Sequence, residues 1–536
     1  MEFDGGASVT LSGGTIDEIP EANDVTLIND NASGPVTITS QYNLSDIGTS
    51  QDGQAFVNNN SGSTLTLGSM DFGPNTLNPS NTRQVRLQLA DGSGPIALSG
   101  DYTTSGGYGA SITFGNNAAG IYDITSTANF SNFNVNTPPA SNALGNSFAL
   151  LGTLNIANST FLSSQVLSFY ATGTANTVNI QGAQIINLGI YNSQKNSGPM
   201  VQDGVDGNGN PFFIGLTGQM FFNQSTADLS TWTGSVNQNG SNMVITAVAG
   251  GRLVWSGQLG SSTPEGLTIG SLTDPTKTGT VVLANLDGNP YNEEDGDGFV
   301  HTSSTVAADL QSGTTLINNT TSGSAFGAAS TTAGTPITGG STTVTEIVKL
   351  EAGATLGGSG TSVPQVVAMG PTSVITAGDP GQANLGIAPT ISTLNLLGGL
   401  AATNGLTLDF KLTGDHSFPV FGIENDYINL GSGAFTLGGL VTVNFTTLDT
   451  VETASPYILI GGTNNWTEEE GTTFDVHAPT GYGLNMSYGT GGYFFDTTND
   501  EFSVEFVAVP EPSTYGLLGL GLLALVVVRR FRRLSA

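Results

Sequence analysis

The chain predicts an all-β fold built from repeated units, a parallel β-helix with a short apolar helix at its C-terminus. Three features of its 536 residues lead there. The apolar share is 38%, rich in β-branched and aromatic types that suit half-buried strands, amid 75 Gly and much Ser, Thr and Asn. Apolar–polar–apolar triplets recur at a near-constant interval. The final 30 residues change character altogether.

The triplets are Leu65-Thr66-Leu67, Leu87-Gln88-Leu89, Ile112-Thr113-Phe114, Phe133-Asn134-Val135, Leu154-Asn155-Ile156 and Val178-Asn179-Ile180, with first positions 22, 25, 21, 21 and 24 apart. Disorder is the reading such a Gly/Ser/Thr content otherwise invites, but it leaves this pattern unexplained. A period of 20–25 residues suits one coil of a parallel β-helix and predicts roughly 20 coils over residues 20–500. Alternation turns the outer two residues of each triplet inward. Leu87, Ile112, Phe133 and Leu154 are then expected to stack in one inward column, about 4.8 Å apart. Asn58-Asn59-Asn60, Asn116-Asn117 and Asn318-Asn319 are expected at coil corners, because Asn and Gly tolerate left-handed backbone. An antiparallel sandwich of similar strand spacing is the alternative.

Charge narrows the class of partner. The net charge is −31, and four of the 11 basic residues are Arg529, Arg530, Arg532 and Arg533. Setting those aside leaves seven basic residues against 42 acidic ones, a balance of −35. Such a surface repels nucleic acid and anionic polysaccharide. The chain has no Cys, so disulfide and thiolate chemistry are excluded.

The tail reads VAVPEPSTYGLLGLGLLALVVVRRFRRLSA. Pro510 and Pro512 flank Glu511 and keep that piece extended and accessible. Residues 515–528 carry no charge and are apolar all round, unlike an amphipathic core helix. As a helix they rise about 21 Å, short of the roughly 30 Å hydrocarbon core. The four Arg then act as a membrane stop and keep the chain end cytoplasmic. In order, spacing and terminal position, Pro510-Glu511-Pro512, the Leu/Gly-rich segment and the Arg cluster resemble the PEP-CTERM sorting signal of bacterial proteins. The resemblance covers residues 508–536. It implies export through the Sec machinery, recognition by an exosortase, cleavage near the triplet, and release or transfer to the cell surface. It also implies exopolysaccharide and biofilm association. Members of that family start with a signal peptide, whereas MEFDGGASVTLSGG has neither basic n-region nor apolar h-region. The expectation is a truncated or mis-started N-terminus, the alternative an unexported copy.

A second resemblance lies in the body. Leu316-Ile317-Asn318-Asn319, Gly323-Ser324-Ala325-Phe326-Gly327 and Gly353-Ala354-Thr355-Leu356-Gly357-Gly358-Ser359-Gly360 look like the β-strand repeat associated with autotransporter passenger domains. Residues 391–445 continue in that style. This resemblance implies that the β-helix is right-handed. The autotransporter route does not carry over, since the chain ends in Arg-rich residues instead of a closed membrane barrel. The expected organisation is 1–399 as β-helix repeats, clearest at 312–360, 400–507 as final coils and a capping β-element, and 508–536 as the sorting signal.

No catalytic constellation is expected. His301, His416 and His477 are isolated from triad or metal-ligand spacing. Calcium is the most plausible ligand, on alternate hard oxygen donors at Asp287, Asn289, Glu293, Asp295 and Asp297. Asp203, Asp206, Asn208 and Asn210 form a second acidic run. Neither run has the glutamate at position 12 that an EF-hand requires. The sequence therefore points to a non-enzymatic structural or adhesive protein of the cell surface or matrix, with no cofactor beyond calcium. It is held transiently in the inner membrane. The rival reading is a β-helix polysaccharide hydrolase or lyase.

Overall fold

The computed structural model describes residues 2–3, 8–18, 25–29, 34–44, 53–72, 85–90, 94–104, 110–114, 121–133, 148–150, 152–161, 165–169, 176–192, 200–205, 211–215, 220–237, 243–257, 259–260, 267–284, 305–319, 325–326, 337–338, 343–344, 346–413, 424–453, 455–462, 466–509, 518–527 and 529. Among these, strands dominate, with a 3-10 turn at Ala383–Leu385 and one helix at 518–527.

The strands form long parallel ladders, which the chain visits in turn. One ladder runs from Val9–Leu11 through Leu65–Leu67, Thr153–Ala157, Met243–Ala247 and Glu346–Leu350 to Trp466–Glu468. A second holds the N-terminal half, from Glu2–Phe3 to Leu259–Gly260. The third side is carried first by Thr15–Glu18 to Asn129–Asn132, then by Ile185–Ile186 to Thr473–His477. In the C-terminal half Thr361–Ser362, Thr393–Leu396, Tyr427–Asn429 and Tyr457–Gly461 form a further parallel ladder. Every one of these pairings is parallel, which rules out the sandwich. Long parallel sheets visited in rotation are what a β-helix requires. Among the described strands antiparallel pairing occurs in the hairpins Met200–Val205/Pro211–Gly215 and Ile337–Thr338/Thr343–Val344 and from Tyr457–Gly461 onward, with isolated antiparallel bridges at Gly358–Gly378, Gln382–Ile387 and Leu412–Asn425.

Period-two alternation explains the core. On the long ladder Val36, Leu65, Ile96, Tyr122, Leu154, Val178, Phe222, Ile245 and Ile269 succeed one another in register, all buried. Each such side chain contributes roughly 1.5–3 kcal/mol by leaving water. Polar residues between them face outward and bond from strand to strand. Asn155 donates to Asp123 at 2.7 Å, Asn179 to Asn155 at 2.9 Å and Asn223 to Asn179 at 3.1 Å.

The expected column is only half right. Leu87 pairs with Ile112, and that column continues through Phe148 and Leu167. Phe133 lies outside any strand, and Leu154 belongs to the other ladder, between Tyr122 and Val178. The near-constant triplet spacing thus mixed two faces. True circuits vary, from 18 residues between Val348 and Val366 to 46 between Ile190 and Val236, because loops of different length are inserted between strands. The long ladder accordingly holds sixteen circuit strands among the described residues, fewer than the period implied.

Corners work differently from expectation too. Left-handed backbone at non-glycine residues occurs, among those described, at Asn158 and Asp500. Asn59 turns its corner with its side chain, accepting from Asn29 at 2.8 Å and donating to the Ser63 and Pro95 carbonyls at 2.8 and 2.7 Å. Asn318 and Asn319 accept from the Ser359 and Thr361 amides. Asn116-Asn117 lies outside the described residues. Gly270 does carry left-handed backbone, at φ 84°, and any β-carbon there would strike the Ser312 backbone of the next circuit.

Two buried ion pairs lock distant segments. Arg252 meets Asp379 at 2.6 Å, while Gln382 and Asn384 each donate to the Gly250 carbonyl at 2.8 Å. The segment after Val374–Thr376 is thereby tied back to Arg252–Trp255. Lys411 meets Asp426 at 2.6 Å, and the Asp426 carboxylate also accepts the Lys411 and Ser392 amides at 2.8 and 3.2 Å. Burial pushes the Asp426 carboxyl up to about 7, against the pull of Lys411. The folded value thus stands above the ordinary aspartate value of 3.8. Folding therefore favours the protonated form, and this contribution to stability is full below that ordinary value and lost as pH rises through about 7. The melting temperature of the native protein, measured against Asp426→Asn, is expected to fall between pH 5 and pH 8. A difference that is flat or rises across that window contradicts the assignment.

Candidate functional site: the cap and the tail it carries

The parallel stack ends in aromatic residues. Phe435 meets Trp466 edge-on at 4.7 Å, and Trp466 meets Phe495 at 5.2 Å. Above them the chain reverses: Glu501–Val504 pairs antiparallel with both Tyr457–Gly461 and Tyr493–Asp496. These strands continue one of the ladders beyond its last parallel strand, Tyr457–Gly461. Phe502 stacks on Phe474 at 5.7 Å and is buried.

Tyrosine hydroxyls fasten the connecting loops. Tyr457 Oη donates to the Thr413 carbonyl at 3.1 Å and accepts the Glu452 amide at 2.7 Å. Burial pushes that hydroxyl up to about 12. Tyr482 Oη accepts the Val451 amide at 3.0 Å.

The last strand is Phe506–Ala508. It pairs antiparallel with Tyr482–Leu484, in the register Leu484 to Phe506 and Tyr482 to Ala508. Phe506 is fully buried, 5.0 Å from the Phe445 ring and 5.8 Å from Tyr457. Val507 and Val509 face solvent, 39% and 50% exposed. The Val509 amide donates to the Gly481 carbonyl at 3.0 Å, so ordered pairing reaches the residue immediately before Pro510.

Pro510, Glu511 and Pro512 lie outside the described residues, as do Arg530, Arg532 and Arg533. Residues 518–527 form a helix inside the expected 515–528, and Arg529 is also helical; all eleven are exposed. Leu518, Leu520, Leu523 and Leu525 are each 63–65% exposed, which leaves the helix apolar on every side. Ten residues rise about 15 Å. Among the described residues no helix is long and apolar enough to cross a membrane.

The remaining candidates separate. Asp287, Asn289, Glu293, Asp295 and Asp297 lie outside the described residues, and so do Asp206, Asn208, Asn210, His301 and His416. Asp203 falls in the strand Met200–Val205. Among the described residues no three His, Asp or Glu side chains gather as a metal site. His477 continues an outward column in which Asn444 donates to Asp409 at 2.8 Å. Its Nδ1 meets Asn444 Oδ1 at 2.9 Å, and its Nε2 meets Asp475 at 3.1 Å. The Phe506 plug and the Gly481–Val509 bond are not among the expected features. The alternation FSVEFVAV, running into Pro510, is a local strand signal for Phe506, whereas the Gly481–Val509 bond joins distant residues and has none.

Residues 508–533 match the family model of the PEP-CTERM protein-sorting motif. No family model covers the repeats at 312–360, and no curated protein matches the chain. The motif implies an exported protein that an exosortase processes and that is anchored at the membrane during processing.

Proposed function

We propose that the chain is a non-enzymatic structural or adhesive component of a bacterial cell surface or its exopolysaccharide matrix, processed near Pro510–Pro512 by an exosortase. The sorting motif at the end of a long acidic parallel stack is the observation that carries this reading. The body is a right-handed parallel β-helix with passenger-like repeats; right-handed crossovers are the rule for parallel strands. Among the described residues several outward carboxylates are engaged in strand-to-strand bonds, which supports a structural role. Asp71 accepts from Thr103 at 3.0 Å, Asp101 from Asn129 at 2.9 Å and Asp409 from Asn444 at 2.8 Å. A glycosidase needs two convergent carboxyl groups free to face substrate. The reading requires no cofactor, and calcium at Asp287–Asp297 would be an addition to it.

The test is processing in an exosortase-bearing host, behind a secretory leader. Ala at Pro510, Glu511 and Pro512 together is expected to leave a full-length, membrane-retained form by fractionation and immunoblotting. If that variant is still shortened and reaches the surface at the normal rate, the tail is a plain anchor. Reducing-sugar release from a panel of glycans by the purified body would instead favour the hydrolase or lyase.

A further inference from the structure

We infer that the Lys277 amine and the Asn223 side-chain amide join covalently, with loss of ammonia, as a staple between neighbouring circuits of the stack. The inference is independent of the sorting tail.

Lys277 Nζ donates to Asn223 Oδ1 at 2.8 Å, although the two residues are 54 positions apart in the chain. A lysine ammonium only donates, so this contact fixes which amide atom is the oxygen. The same oxygen accepts the Thr246 hydroxyl at 2.9 Å, and Asn223 Nδ2 donates to Asn179 Oδ1 at 3.1 Å. Asn223 and Thr246 are both buried. The amide is thus held in one orientation, with a hydroxyl donor on the oxygen where charge would develop during attack.

The lysine is held as well. Its own N–H donates to the Asp274 carbonyl at 3.1 Å, and its carbonyl accepts the Ser312 hydroxyl at 2.7 Å. The preceding carbonyl, of Thr276, accepts the Ala249 amide at 2.9 Å. Burial pulls the Lys277 amine below the usual lysine range, opposed by the charge of Asp274. That favours the neutral amine, which is the nucleophile. The Thr276 hydroxyl and amide, at 2.6 and 3.0 Å, hold the Asp274 carboxyl below the usual carboxylate range, so it stands ionised beside the lysine.

The step balances without an oxidant or reductant. Asp274 takes one proton from the ammonium, and the freed Nζ lone pair attacks Asn223 Cγ. Charge passes to Oδ1, against the Thr246 hydroxyl. The Cγ–Nδ2 bond then breaks as Nδ2 takes a second proton from the attacking nitrogen and leaves as ammonia. The proton on Asp274 follows it, and an Nζ–Cγ amide remains. That bond would tie Met220–Gln224 to the loop after Leu267–Ile269, past the intervening strand Met243–Ala247. A chain without Cys has no disulfide to close such a loop, and the amide would limit the unfolded chain in the same way.

The full chain, purified, unfolded and digested, tests this by peptide mass. The peptides carrying Asn223 and Lys277 are expected joined and one ammonia lighter than their sum, with fragment ions placing the bond at these two side chains. Lys277→Arg keeps the charge and the donor but stays protonated, and is expected to give the two peptides apart at full mass. Asp274→Asn is expected to slow the joining by about a hundredfold. Wild-type peptides recovered apart at full mass overturn the inference. An ammonia loss confined to one linear peptide also overturns it, because that is ring closure at a single asparagine. The wild-type masses decide even if Lys277→Arg fails to fold.

Discussion

At pH 8, Asp426→Ala is expected to lower the unfolding free energy of the C-terminal circuits by about 3–5 kcal/mol. The side chain is fully buried and joins three segments: the end of Leu406–Leu412, the start of Tyr427–Asn429, and Ser392 before Thr393–Leu396. Its loss leaves the Lys411 ammonium, also buried, with Thr376 Oγ1 at 3.0 Å and the Ala377 carbonyl as its remaining partners. A buried charge stripped of its counter-ion is the costly case; the pair as a whole is not strongly stabilising. Lys411→Met with Asp426→Leu is therefore expected to cost less than Asp426→Ala alone. Hydrogen exchange at Leu406–Leu412 and Tyr427–Asn429 reads the effect locally. Equal loss in the single and double variants would show that packing, not charge, governs this corner.

What the sequence disclosed follows the reach of each interaction. The all-β class was legible because period-two alternation is local: Leu65-Thr66-Leu67 and Leu154-Asn155-Ile156 place both outer residues in the core. The sorting tail was legible because its elements are contiguous in the chain. Register was not. Leu87 and Leu154 carry the same local pattern yet sit on different ladders, and only the inserted loop lengths decide between them. The Lys411–Asp426 pair spans a loop, and the Arg252–Asp379 pair spans many circuits. Neither has a local signature, since both exist only once the stack has formed. The cap shows both limits at once. Phe506 and Val509 read as strand, but the pairing that brings Gly481 beneath Val509 is long-range.

Trp255→Ala is expected to destabilise the middle circuits by about 3–5 kcal/mol while leaving the cap intact. Trp232 and Trp255 are fully buried and stack at 5.3 Å, nearly parallel at 4°. Their positions pair directly in neighbouring strands, and Phe222 meets both rings edge-on at 5.4 and 5.3 Å. Truncation removes the area of one ring and strands the other two against a void that β-strands, fixed by ladder bonds on both sides, relax poorly to fill. Trp255→Phe should cost far less, because it keeps most of the contact area. It also removes an indole N–H that has no partner among the described residues. The damage should stay local, since circuits of a stacked fold contact only their neighbours. Limited proteolysis of Trp255→Ala is then expected to cut first between about residues 220 and 285, releasing a resistant C-terminal fragment that holds the Phe435–Trp466–Phe495 cluster. A single cooperative loss of all protected amides in the variant would mean that the stack unfolds as one unit, and that the cap, and with it the presentation of Pro510, depends on every circuit beneath it.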